Sequence, residues 1–321
     1  MALGGKAARK WLIRATGSAA ALGLIFWFLP KDAILEGFSR LSLPVFLSVL
    51  LAFLLCHVVT ATKWWLLMDR AIPLLTALRA HFAGLAANLC LPGAAGGDAV
   101  RAALAHASLK DGPKVAAAAI GDRLIDLVGL ACLTLIGLLM LHGGGSPVLG
   151  LTIAGIVFAA AIAGLFVFPK IARGVWSRWP GLPARDLAFR LADAFAALGR
   201  RPGLLLFTLA LSAGVQAVLI LLSIRLAEPM GVDVAWAAWF FAWPIAKIVA
   251  TLPISLGGLG VRESSLAALL VPFGATAPEV VASGLAWQGI LYLAGALGAL
   301  ILIASGGGFG TRISQVTEIS E

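Results

Sequence analysis

Charge is what this sequence has least of. Only 12% of its 321 residues are Asp, Glu, Lys or Arg, and a soluble domain of this size needs roughly twice that share. With 61% hydrophobic residues beside it, that scarcity excludes a water-exposed surface. Cysteine is nearly absent too. Cys56, Cys90 and Cys132 are an odd number inside apolar segments, without CxxC spacing, which excludes a disulfide framework and a thiolate site. His57, His81, His106 and His142 are scattered without HxxxH spacing, so no metal ion is expected. No P-loop, nucleophile elbow or acyltransferase-like His–Asp pair occurs, which leaves enzymatic chemistry without residues and calls for no cofactor.

Long apolar runs are what the chain has instead. About 20 helical residues cross a bilayer core, and only helices or closed barrels satisfy the backbone there. The expected fold is all-α and polytopic, a single membrane domain over 1–321. Six continuous spans are expected near 11–30, 43–64, 115–141, 148–168, 203–224 and 279–304. The first follows Lys6, Arg9, Lys10 and Arg14 and reads as a retained span rather than a cleaved leader. Two further apolar regions, about 74–105 and 235–271, are interrupted. They break at Leu91-Pro92-Gly93 through Gly96-Gly97, and at Leu252-Pro253 through Gly257-Gly258. Proline removes a helix donor and glycine is permissive, so each break marks unwound backbone between short helices.

The net charge of +9 sits in a few loops, a pattern that sets topology and meets anionic headgroups rather than nucleic acid. The N-terminal cluster, the loop 169–202, and Lys63, Arg70, Arg79, Lys110 and Lys114 all read as cytoplasmic. The connection His142–Pro147 has no Lys or Arg and reads as external. These assignments agree when each interrupted region enters and leaves on one side, as a re-entrant hairpin, with both termini cytoplasmic. In the long loop, Leu187, Leu191, Phe195 and Leu198 form an apolar stripe, read as an amphipathic helix on the headgroup layer or a linker helix packed on the membrane domain. Trp27, Trp236 and Trp239 at outer ends, and Trp64 and Trp65 at an inner end, suit an aromatic belt.

The two breaks share one pattern: Leu-Pro, three residues, Gly-Gly, three residues, Arg. Leu91 maps onto Leu252 and Arg101 onto Arg262 at one offset of 161, which also carries 43–64 and 115–141 onto later spans. The first repeat is about 43–141 and the second about 203–304. Their opposite entry sides make them inverted, the architecture of many secondary transporters with sites near the midplane. Charges at membrane depth are costly and must be paired or face a cavity. Candidate substrate-binding residues are Arg101, Arg262, Asn88, Gly96, Gly97, Gly257, Gly258, Arg123 and Lys247. Asp98, Asp126 and Glu263 are candidate proton or ion carriers. Arg101 and Arg262 follow Gly-Gly at half-helix starts, where guanidinium and free N–H groups suit an anionic headgroup. Their alternative is pairing with Asp98 or Glu263. Arg123 and Asp126, three apart on one helix face with Asp122 beside them, could equally form a structural ion pair. Asn88 reads as a polar lining or a capping residue.

Asn88 through Gly93, Gly96-Gly97-Asp98 with Arg101, Asp122-Arg123-Leu124 with Asp126, and Pro253 through Glu263 resemble the flippase-like family. That family is also named for the lysylphosphatidylglycerol synthase transmembrane region. The resemblance covers about 40–305. It implies a multi-span module for lipid translocation: aminoacylated phosphatidylglycerol in fused synthases, polyprenyl-linked sugars or hopanoid-type lipids in stand-alone members. Lys63-Trp64 stands where the family has Arg-Trp. The fused synthases carry a soluble aminoacyl-transfer domain after the membrane region; here 305–321 follow the last span, so lysyl transfer is not expected. The expected role is translocation of an anionic, polyprenyl-linked or hopanoid-type lipid across a bacterial inner membrane, with membrane lipids and lipid- or glycan-synthesis enzymes as partners. The other readings are a small-solute or ion secondary transporter, and a non-transporting scaffold for lipid or glycan synthesis.

Overall fold

The computed structural model describes residues 29–90, 94–141, 169–179, 185–251 and 258–304, with a few isolated positions besides. All regular structure among them is helical. A short α1 (Lys31–Arg40) precedes α2 (Leu43–Leu67), α3 (Leu74–Cys90), α4 (Ala94–Leu109) and α5 (Gly112–Leu141). After a helical stretch at 169–178 come α6 (Arg185–Gly199), α7 (Pro202–Ala227), α8 (Trp236–Ala250), α9 (Val261–Leu270) and α10 (Ala277–Ala304).

Among the described residues, four helices are long and apolar enough to cross a membrane: α2, α5, α7 with the 3₁₀ turn that follows it, and α10. They match four of the six expected spans. The spans expected at 11–30 and 148–168, and the apexes Leu91–Gly93 and Leu252–Ile254, lie outside the described residues, as does Gly257. A proline in the first turn opens both α2 and α7, where its missing N–H is no loss. Asp69 and Arg70, at φ 60° and 56°, end the run after α2. At 1.5 Å per residue α2 spans about 37 Å, whereas α3, α4, α8 and α9 each fall short of a core of about 30 Å.

Helices α2 to α5 correspond to the last four at the offset of 161: α2 to α7, α3 to α8, α4 to α9, and α5 to α10. Packing follows the same rule. The largest interhelical contacts are α5 on α8 and, at the matching place, α10 on α3. Both depend on glycine. A Cβ on Gly298 of α10 would run into the Phe82 carbonyl of α3, and one on Gly137 of α5 into the backbone of Ala237 to Phe241 in α8. Gly137 and Gly298 are themselves 161 apart.

Two apolar clusters fill the ends of the bundle. One gathers Val49, Leu133, Ile220, Met230, Trp239, Leu270 and Val280. The other gathers Trp64, Met68, Ile72, Ala105, Val115, Phe195 and Leu198. Both ends of the α3–α4 pair belong to the second cluster, and both ends of the α8–α9 pair to the first. The amphipathic helix α6 docks on the bundle rather than lying free. Phe195 and Leu198 are buried, and Gly121 of α5 leaves room for Leu198, while Leu187 stays exposed. Of the aromatic belt, Trp27 and Trp236 are exposed, but Trp64 and Trp239 are fully buried and belong to the core. Neither is an interfacial residue. Their surroundings are helix-on-helix contacts that composition cannot reveal.

Candidate functional site

Between the two apolar clusters lies a cavity of about 400 Å³ lined from α2, α3, α4, α5, α7, α8, α9 and α10. Its first wall is a network of three carboxylates and three cations. Lys63 of α2, 2% exposed, forms an ion pair with Asp122 of α5 at 3.0 Å and a second one with Asp126. Arg101 of α4 donates to Asp122 at 3.0 Å and lies 3.4 Å from Asp98, with its guanidinium over the Trp64 ring at 4.5 Å. Arg123 grips Asp98 with two hydrogen bonds, 2.7 Å from Nε and 2.5 Å from Nη2. The expected pairing of Arg123 with Asp126 survives only at 3.9 Å, because Asp126 is held instead by Lys63 and the Ser212 hydroxyl at 2.5 Å.

The second wall is built differently. Arg262, buried at the start of α9, donates to Glu263 at 2.5 Å, to Gln288 of α10 at 2.9 Å and to the Gly284 carbonyl at 3.3 Å. Glu263 is fully buried and accepts from the Gly260 backbone N–H at 2.6 Å, capping its own helix. Lys247, in the last turn of α8, donates to the Gln216 amide at 2.7 Å and sits over the Trp243 ring at 4.9 Å. A third group lies between the walls. His57 Nδ1 and His81 Nε2 are 2.9 Å apart, flanked by Phe53 and Phe82.

The sequence-derived candidates fall into three sets. Arg101, Arg123, Lys247, Arg262, Asp98 and Asp126 line the cavity together, with Glu263 immediately behind Arg262. Arg101 and Arg262 are both buried and paired with carboxylates, so removing either disturbs an ion pair as well as the cavity. Asn88 also faces the cavity, and its side-chain oxygen accepts from the Gly97 backbone N–H at 2.9 Å, capping the first turn of α4. Gly97 and Gly258 serve close packing: a Cβ on Gly97 would meet Gly84 and Asn88, and Gly258, at φ 79°, approaches Ala250. Gly96 is half-buried at the start of α4 and does not line the cavity.

Five participants were not picked out by sequence reasoning. Lys63 reads as a topology-setting cation at a span end; instead it is buried at the centre of the network, which removes it from the count of cytoplasmic loop charges. Only the family pattern, with Arg-Trp at that place, marks it. His57 and His81 are 24 residues apart on different helices, and only tertiary structure unites them. The amides Gln216 and Gln288 carry no signal in composition. Among the described residues no group of three or more His, Cys, Asp or Glu is placed to hold a metal ion.

A long-spanning helical bundle closed around a buried ionic cavity is the geometry of a multi-pass membrane protein. No curated protein matches the chain. The Lysylphosphatidylglycerol synthase TM region family matches residues 11–298, which contain every cavity-lining side chain named above, and the chain belongs to that family.

Proposed function

We propose that the protein translocates an anionic lipid across a bacterial inner membrane through this cavity, working as an inverted pair of repeats. The observation that carries the reading is the cavity's mixed lining. Ion-paired and amide side chains face Leu85, Leu89, Leu211, Val215, Leu291 and Tyr292 across one space. Leu89 and Tyr292 are 40% and 48% exposed, so the apolar part of the lining is not sealed within the bundle. An amphiphile needs both surfaces, one for its headgroup and one for its chains. A scaffold needs neither, since it gains nothing from an unfilled interior.

The inverted arrangement is supported by the exchange of contacts between halves and by the location of each helix pair's ends in opposite apolar clusters. α3–α4 then re-enters from the cytoplasm and α8–α9 from outside, with both termini cytoplasmic. Asp98, Asp126 and Glu263 are the carriers for any coupled proton. Each gives up an ion pair when protonated, with Arg123, Lys63 and Arg262 respectively, so headgroup entry and proton uptake are linked through the cations of the cavity.

Reconstitution tests this directly. The full chain in liposomes with trace fluorescent lipids is expected to expose inner-leaflet label to an impermeant quencher, and Arg101→Lys and Arg262→Lys to slow it while the protein stays folded. No movement of any lipid by the wild type would sink translocation and favour a scaffold for lipid- or glycan-synthesis enzymes.

A further inference from the structure

A second cavity, of about 860 Å³, lies where the end of α2, the α4–α5 turn and the start of α7 meet α6. It shares no lining residue with the ionic cavity, and its size is that of a small-molecule site. Its buried lining, Ala117, Ala118 and Leu198, is apolar. Three carboxylates also line it, and each is already engaged. Asp69 takes two hydrogen bonds from Arg201, Asp193 pairs with Arg173, and Asp111 accepts from the Lys114 backbone N–H at 3.1 Å. Lys110, Lys114 and Arg190 line the same space, and among the described residues none has a carboxylate within ion-pair distance. Cations that only set topology need to lie in a loop; nothing makes them converge on one cavity.

The backbone is strained at the same place. Among the described residues, the non-glycine positions with left-handed backbone are Asp69, Arg70 and Lys110, and two of them line this cavity. Lys110 ends α4 at φ 56°, where glycine would be free of strain, in a chain that has 37 glycines. The duplicated frame does not ask for these side chains. At the offset of 161, Val271 and Ala275 stand in the places of Lys110 and Lys114, and Met230 in that of Asp69. A carboxylate is satisfied by one guanidinium, as Asp69 is by Arg201. Two free ammoniums and a guanidinium suit the several oxygens of a phosphate instead. We infer that this cavity is a peripheral binding site for a phosphate ester. Lys110, Lys114 and Arg190 hold the phosphate, and the apolar remainder of the ligand lies against Ala117, Ala118 and Leu198. The same chemistry is offered by a lipid phosphate and by a soluble nucleotide, and the site stands whether or not the ionic cavity moves lipid.

Heat unfolding of the full chain in detergent, at constant ionic strength, tests the site. The probes are dihexanoyl phosphatidic acid, adenosine monophosphate, and hexanoate, which has a chain and a carboxylate. At least one phosphate ester is expected to half-saturate the protein at a concentration about tenfold below hexanoate. Tighter phosphatidic acid assigns the site to lipid, and tighter nucleotide assigns it to a soluble ligand. The triple variant Lys110→Gln, Lys114→Gln, Arg190→Gln is expected to lose that advantage, and Lys110→Arg to keep it. Arg262→Lys, in the other cavity, is expected to leave it unchanged. Lys110 and Arg190 are exposed, so the single variants Lys110→Gln and Arg190→Gln report the same loss in part if the triple variant unfolds early. No preference over hexanoate, a preference that survives in the triple variant, or one that disappears in Arg262→Lys would each overturn the inference.

Discussion

Arg101 and Arg262 occupy the same place in the two halves, yet their neighbourhoods differ in kind. Around Arg101 stand Asp98, Asp122, Asp126, Lys63 and Arg123. The residues 161 positions later are Leu259, Ser283, Trp287, Ile224 and Gly284. Arg262 compensates with Glu263 and Gln288, whose counterparts in the first half are Ala102 and Leu127. The frame and the arginine are duplicated, whereas the ionic network belongs to one half. Shared positions therefore report architecture, and the charges that differ report what each wall of the cavity does.

The largest expected effect breaks this comparison at Asp122. Its carboxylate serves both Lys63 and Arg101, all three nearly inaccessible, so Asp122→Ala leaves buried cations short of a partner at about 3 kcal/mol or more. Ser283→Ala, at the equivalent place, is expected to cost under about 1 kcal/mol, because Ser283 bonds only the Val280 carbonyl of its own helix. Equal losses in detergent unfolding would show that the halves share an ionic role after all.

Next in size are Gly137→Val and Gly298→Val, which sharpen the shared side of the comparison. Each forces a side chain into the backbone of the opposing short helix and is expected to lose about 1–3 kcal/mol, with similar drops in unfolding temperature. A large loss at one and none at the other would mean that the two contacts are not equivalent.

The smallest effect lies outside the spans. Hydrogen bonds from Arg201 hold the exposed Asp69 carboxyl below its usual range, with Lys114 and Arg70 adding to the pull. A depressed carboxylate contributes its stability above the unfolded value and loses it as pH falls through the folded one. Asp69→Asn should therefore change the unfolding temperature slightly at neutral pH and not at all once the acid is protonated, and added salt should erase the difference. A shift that persists in acid would point to something other than charge.

Much of the frame was legible in the sequence. The four described spans, both breaks and the offset of 161 follow from hydropathy and from where proline and glycine fall, which are local properties. The site was legible only as an inventory. Asp98, Arg101, Arg123, Asp126 and Lys247 stand out because charge is rare in apolar segments, but their partners do not. Arg123 pairs with Asp98, 25 residues away, in preference to Asp126 on its own helix, because the α4–α5 contact brings the former carboxylate closer. Lys63 was hidden by its position near a span end, where cations ordinarily mark the cytoplasm.

The glycine contacts of α5 on α8 and of α10 on α3 carry one more consequence. Each long helix clasps a short helix from the other half, so neither half can finish burying its own surface. During synthesis, the first half must wait in the bilayer with one flank of α5 uncovered until α8 emerges. The two halves are therefore joined through their longest helices, and not only where the chain passes from one to the next.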